Sequence, residues 1–295
     1  MKNQEASGKI QLVVGTHPRS YKITEPRLNK PVYIVKLSQG IETGSMLLQD
    51  IDEVMIRGNR LTYFTPNNIA ILLSVSNKSL ELARNINQSR LDPSKAELDF
   101  QNTNADKRSF LDAKSKDVCD YIEAVMTSII FGYTAVETFA NLSIPTNYIY
   151  KGKIIKRNIE EPISKDKIER WFNLREKVLH VLPGIYKTTP PNKQKFWTHF
   201  VNLEKYRNNI IHQKTITSTD FYKYYFRNDI FDICTSSEEV IGFFYDYVGK
   251  DNKTNPLWPW LNNRKAYYPI SYDFDASKFE VIGNLYEGYK LKPKS

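Results

Sequence analysis

The stretch from Lys116 to Leu142 constrains the fold more than any other part of the chain. Val118, Tyr121, Ile122, Val125, Met126, Ile129, Ile130, Tyr133, Val136, Phe139 and Ala140 recur there at helical spacing. They form an apolar face wide enough to meet several helices or a second subunit. Pro145 closes the helix. Its longest uncharged run, Ala124 to Val136, is 13 residues, whereas a bilayer crossing needs about 20.

Partner helices can be read further on. Ser164 is placed to cap one that runs to about Leu182, with Ile168, Trp171, Phe172, Leu174, Val178 and Leu179 on its buried face and Pro183-Gly184 as its stop. His180 near that end suits the negative pole of the helix. After a Pro-rich loop, Asn192 is the expected cap of a helix carrying Phe196, Trp197, Phe200, Leu203, Ile210 and Ile211. Ser236-Ser-Glu-Glu239 matches a capping box ahead of a helix over Val240 to Val248. Between these, Phe221 to Arg227 interleaves aromatic and basic residues, a mix that packs against a core or partner more often than it stacks on nucleobases.

The N-terminal part has a different texture. Ile10 to Val14, Val32 to Leu37 and Leu61 to Phe64 are short runs rich in β-branched and aromatic residues, punctuated by Pro18, Pro26 and Pro31. Arg57-Gly58-Asn59-Arg60 predicts a turn, and Leu47 to Ile56 is ambiguous. Asn67 or Asn68 caps a helix from Ile69, which Ser74-Val-Ser-Asn77 threatens to interrupt. Residues 87–116 turn polar and read as a linker or exposed loop, or as a surface helix over Pro93 to Phe100. Lys151 to Arg157 reads as a basic solvated loop, Pro256 to Trp260 as a rigid aromatic loop, Phe279 to Ile282 as a short strand and Lys290 to Ser295 as a frayed tail. Three parts follow: a β-rich region at 1–110 with a helix and polar linker, a helical domain at 111–250, and an aromatic extension at 251–295. The fold class expected is α+β.

Composition limits the partners. Hydrophobic residues make up 41% of the chain, which supports a substantial core. The formal net charge of +9 favours polyanions such as RNA, DNA or an anionic membrane, although many soluble proteins are this basic with no such partner. Two cysteines, Cys119 and Cys234, lie far apart and imply neither a disulfide framework nor a zinc knuckle. The expected setting is the cytoplasm, with no membrane partner.

One polar group stands out on the apolar helix near residue 200. Leu203-Glu-Lys-Tyr-Arg207-Asn208-Asn-Ile-Ile-His212 places Arg207 and His212 about 140° apart around the helix, flanking a groove. Asn208 and His212, four apart, share a face. His199 lies thirteen residues before His212, and no metal-ligand spacing links them, so neither a metal nor a cofactor is expected.

Arg207-Asn208 with His212 resembles the Arg-x4-His signature of the HEPN superfamily. Thr134-Ala-Val-Glu137-Thr-Phe-Ala-Asn141, on the long apolar helix, resembles the first core helix of many HEPN proteins. The resemblance covers roughly residues 113 to 250. It implies a helical HEPN-like bundle and a metal-independent endoribonuclease, similar to toxins and antiviral defence effectors, that acts as a homodimer with two motifs facing one cleft. A protein inhibitor or an associated defence subunit is an implied partner.

The chemistry suits that implication. RNA carries its own nucleophile, the 2′-hydroxyl. A free imidazole titrates close enough to neutrality to take its proton. A guanidinium stays charged and meets phosphate oxygens in bidentate fashion. On this reading His212 is the general acid or base, Arg207 steadies the phosphorane, and Asn208 orients His212 or holds a phosphate oxygen. Glu137 fixes the fork of Arg207, and Asn141 supports from the same helix face. Competing accounts remain: Arg207 pairs with Glu204, His212 caps its own helix, and Glu137 faces solvent. A non-catalytic HEPN module that binds nucleic acid, nucleotide or protein is the first alternative, and a structural helical protein the second.

Overall fold

The computed structural model describes residues 10–15, 25–92, 94, 98, 100–101, 106–151, 162–213, 219–247, 257, 270–271 and 279–284. The chain divides into two compact units. One comprises residues 1–70 and 247–295, the other Ile71–Asp246. The protein is therefore α+β, with the helical unit inserted between strands of the sheet unit.

In the sheet unit, β1 (Ile10–Gly15), β2 (Val32–Ser38), β3 (Ile41–Ile56) and β4 (Asn59–Phe64) come first in the chain. The ambiguous segment Leu47 to Ile56 is the second half of the 16-residue β3. Leu48 pairs with Val14 of β1 and with Val32 of β2, so this part of β3 is central. Ile51 pairs with Gln11 and with Phe64, so β4 takes the edge opposite β1. Both hairpins are two-residue loops with positive φ at each position, Gln39-Gly40 and Arg57-Gly58. This turn matches the right-handed strand twist, and glycine adopts its second position without strain. Ile34 and Leu48 form one buried cluster, with Val32 and Met46 packed against it, and Val35 and Leu47, on the opposite side of the pleat, are buried as well.

Residues from the other end of the chain complete the sheet. β7 (Ile270–Ser271) runs parallel to β2, and β8 (Phe279–Asn284) runs parallel to β1. Parallel neighbours require a long crossover, and here the connection from β4 includes the whole helical unit. The division read from composition, at 110 and 250, thus differs from the contact boundaries at 70/71 and 246/247.

The helical unit takes in most of α1 (Asn68–Arg90). Asn67 caps α1, its Oδ1 accepting from Ala70 N at 3.0 Å. Ser74 to Asn77 does not interrupt α1, because Ser76 donates its hydroxyl to the Ser128 carbonyl at 2.9 Å and is satisfied inside the bundle. The long apolar helix is α2 (Lys107–Ser143). It starts at an Asp106 cap, nine residues before the expected Lys116, within the segment read as linker. That first stretch is mostly exposed and carries an Arg108–Asp112 pair one turn apart, so no apolar stripe announces it.

A two-stranded ribbon, β5 (Ile149–Tyr150) with β6 (Ile163–Ser164), precedes α3 (Lys165–Trp171). The single helix expected from Ser164 to Leu182 is broken. Asn173 and Glu176 form a capping box that restarts the chain as α4 (Leu174–Glu176). A wide π turn, Lys177–Val181, continues into α5 (Leu182–Tyr186). Pro183 sits in the first turn of α5, where its missing N–H is tolerated, and Lys187 in the left-handed region ends the helix.

A 3-10 turn (Pro191–Lys193) takes the place of the cap expected at Asn192, and α6 (Trp197–Ile211) follows. Asp220–Phe226 is a 3-10 helix, and α7 spans Ile230–Tyr245. Ser236 and Ser237 are not caps. They lie inside α7, buried, with hydroxyls bonded back to the Ile233 and Cys234 carbonyls. Tyr121, Val125, Ile129, Val136 and Phe139 of α2 are sealed in the core, as are Phe200 and Leu203 of α6 and Val240, Ile241 and Phe244 of α7. Phe139, Tyr186 and Phe244 pack ring to ring.

Among the described residues, no helix is long and apolar enough to cross a membrane. The readings of residues 152–157, 256 with 258–260 and 290–295 lie outside the described residues, as do most of 93–100.

Candidate active site

Four elements of the helical unit bring the site together. α2 presents Tyr133, Glu137 and Asn141, spaced four apart on one stripe. α6 presents Glu204, Arg207 and Asn208, with His212 as its C-terminal cap. α4 and the π turn add Arg175 and Lys177.

The Arg207 guanidinium carbon lies 5.0 Å from the centroid of the Tyr133 ring. Its Nη1 donates to Asn208 Oδ1 at 3.1 Å. Arg207 is half-buried, and Asn208 and His212 are exposed. His212 leaves the helix with φ −113° and ψ 36°, its backbone N–H bonded to the Asn208 carbonyl at 2.9 Å. Arg207 and Asn208 are thus in direct contact, and His212 follows one turn later at the open end of α6. Asn208 directs its Oδ1 to Arg207, so that acceptor is already engaged.

The residues on α2 hold different partners from those the sequence suggests. Glu137 is half-buried, and its charge acts on Tyr133 and on Lys177. Asn141 Oδ1 accepts from Lys177 Nζ at 2.8 Å. Lys177 is only 4% exposed and also donates to the Glu169 carbonyl at 3.3 Å. Burial lowers the pKa of its ammonium, and the nearby Glu137 and Glu169 pull it back up. Lys177 is the first residue of the π turn, a kind of turn found frequently at functional sites.

Glu204, one turn before Arg207 on α6, does not pair with it. One carboxylate oxygen forms an ion pair with Arg175 Nη2 and the other accepts from the Tyr133 hydroxyl at 3.4 Å. Tyr133 is 6% exposed. Burial and the charges of Glu204 and Glu137 raise its hydroxyl pKa, against the pull of Arg207, so the phenol is neutral at physiological pH.

Tyr133, Glu204, Arg175 and Lys177 were not site candidates in the sequence. By sequence Tyr133 reads as core, yet it stands four residues before Glu137. Lys177 had a clearer signal: a lysine beside Leu174, Val178 and Val181 on a buried stripe. His199 sits away from the motif, where its charge acts on Asp229 and Glu239. Among the described residues, no group of three or more His, Cys, Asp or Glu is placed to hold a metal ion.

The helical unit also carries a mainly apolar groove of about 610 Å3, lined by Cys119, Met126, Ile130, Phe131, Ile210 and Tyr222, among others. Comparison with protein-family models, with curated proteins and with solved structures finds no match to this chain.

Proposed function

We propose that the protein is a metal-independent endoribonuclease of HEPN type, acting as a homodimer in the cytoplasm as a toxin or antiviral defence effector. The observation that carries this reading is the grouping at the end of α6. A half-buried guanidinium and an amide touch, and an exposed imidazole stands one turn beyond, open to a ligand.

In the proposed reaction His212 takes the proton of the RNA 2′-hydroxyl. The freed oxygen attacks the adjacent phosphorus, and Arg207 steadies charge on the phosphorane. The bond to the 5′-oxygen breaks, and that oxygen leaves as a hydroxyl after accepting a proton. The products are a 2′,3′-cyclic phosphate and a 5′-hydroxyl. A second acid is needed for the leaving group, and the facing motif of a second copy would supply it. The net charge of +9 supports an RNA partner through counterion release. A protein inhibitor or defence subunit fits an effector that must be restrained.

A second reading, a non-catalytic module binding nucleic acid, nucleotide or protein, is favoured by one observation. Arg207 and Asn208 already engage each other, a geometry that suits static binding.

The test uses total RNA in EDTA, with wild type, His212→Ala and Arg207→Ala side by side. Cleavage in EDTA that leaves cyclic phosphate ends and disappears in both variants supports the nuclease. Binding without cleavage supports the module. Cleavage unchanged in the variants overturns the assignment of the site.

A further inference from the structure

Resting on that reading, we infer that Tyr133 is the positioning residue for Arg207, and that the Glu204–Arg175 pair holds Tyr133 in turn, so that the guanidinium meets a phosphodiester with its charge uncompensated.

The geometry runs as a chain of contacts through three helices. Arg175 of α4 pairs with Glu204 of α6. Glu204 accepts from the Tyr133 hydroxyl of α2. The face of the Tyr133 ring lies under the Arg207 guanidinium of α6. Tyr133 is buried and anchored at its hydroxyl, so its ring is a fixed platform.

Why a ring rather than a carboxylate? Two acids stand close by, Glu204 on the same helix and Glu137 on α2. Either could clamp Arg207, and either would cancel the charge that a phosphate needs to find. Among the described residues no carboxylate forms an ion pair with Arg207. Its contacts are a neutral amide oxygen and an aromatic face. A cation over a ring is held by the ring quadrupole and keeps its full charge. The two oxygens of Glu204 are taken by Arg175 and Tyr133. The sequence alone suggests Glu137 as the fork-holder. Tyr133, one turn earlier on the same stripe, takes that place.

The test uses the full chain, a defined RNA oligonucleotide for kcat and KM, and a fully 2′-deoxy oligonucleotide of the same sequence for affinity. Tyr133→Leu removes the ring and Tyr133→Phe keeps it. Loss of a held cation corresponds to about tenfold in rate. Tyr133→Leu is expected to lower kcat by at least that factor, with KM changed by less than about threefold, and Tyr133→Phe, which keeps the ring but loses the hydroxyl anchor to Glu204, to fall between Tyr133→Leu and the wild type. The double variant Tyr133→Leu with Arg207→Ala is expected to be no worse than Arg207→Ala alone, an interaction that a merely structural defect would not show. Should Tyr133→Leu not fold, Tyr133→Met carries the same comparison.

Wild-type kcat in a folded ring-deleted variant, with Arg207→Ala inactive, overturns the inference and leaves the nuclease reading standing. Losses that add in the double variant also overturn it. If the wild type binds RNA without cleaving, the same pattern is read from deoxy-oligonucleotide affinity: equal, non-additive weakening in Tyr133→Leu and Arg207→Ala supports the positioning role. A wild type that neither cleaves nor binds removes the functional reading and this inference together.

Discussion

The Ser76 hydroxyl of α1 donates to the Ser128 carbonyl of α2 at 2.9 Å, fixing two helices at close range. One turn along α2, Gly132 completes the crossing. A Cβ there would lie 2.9 Å from Ser237 Oγ and 3.3 Å from Ser237 Cβ on α7, and 3.1 Å from Ser76 Oγ. Glycine in mid-helix ordinarily costs about 1 kcal/mol relative to alanine. Here the Ser237 and Ser76 side chains fill the space an alanine methyl would need, so overpacking dominates. Gly132→Ala is expected to destabilise by about 1–3 kcal/mol, read from the urea midpoint. Adding Ser237→Ala should return part of that loss, because it removes the nearest atom.

Two buried tyrosines should respond in opposite ways to loss of a hydroxyl. Tyr121 donates to the Tyr225 carbonyl at 2.7 Å, deep in the core. Among the described residues, the buried Tyr225 hydroxyl has no hydrogen-bond partner. Tyr121→Phe strands a carbonyl and is expected to cost about 1–2 kcal/mol, whereas Tyr225→Phe relieves an unsatisfied group and should be neutral or stabilising. Equilibrium unfolding of the two variants checks the sign of each.

Stability should fall on the alkaline side. Burial raises the hydroxyl pKa of Tyr121 to about 12 and pushes those of Tyr133, Tyr186 and Tyr225 upward as well, and it raises the Cys234 thiol to about 12. In the unfolded chain these groups titrate near ~10 for tyrosine and ~8.5 for cysteine. Above those values the folded state binds more protons than the unfolded state, so stability decreases as pH rises. It is at full value below about pH 8.5 and is lost progressively toward pH 12. Thermal midpoints between pH 8 and 11 should decline steadily, and a flat profile would contradict the burial of these groups.

The two thiols should separate cleanly. Cys119 is exposed and lines the apolar groove, while Cys234 is buried with its pKa raised. A thiolate-selective reagent at pH 8 is expected to label Cys119 alone in the native protein and both thiols in guanidinium. Labelling of Cys234 at the same rate as Cys119 would contradict the packing of α7.

How much of this was legible in the sequence depends on the range of the cause. The stripe from Val118 to Ala140 announced α2 because its burial pattern repeats every turn. The first ten residues of α2 gave no such signal, because they are mostly exposed and rest on a cap and a local ion pair. Ser236-Ser-Glu-Glu239 resembled a cap, but Ile230 and Ile233 upstream are buried in the same helix and carry it past those serines. Leu47 to Ile56 was undecidable alone because a strand is defined by its neighbours, and β1, β2 and β4 all pair with β3.

The motif residues themselves, Arg207, Asn208 and His212, were placed at the end of one helix by sequence alone, since helical spacing is a property of consecutive residues. What each side chain touches was decided only by tertiary structure. Glu204 lies one turn from Arg207 and could have paired with it, but α4 and α2 present Arg175 and Tyr133 to its two oxygens instead. A local pattern sets which face a residue shares. The choice among competing partners belongs to whichever helices the whole core brings together.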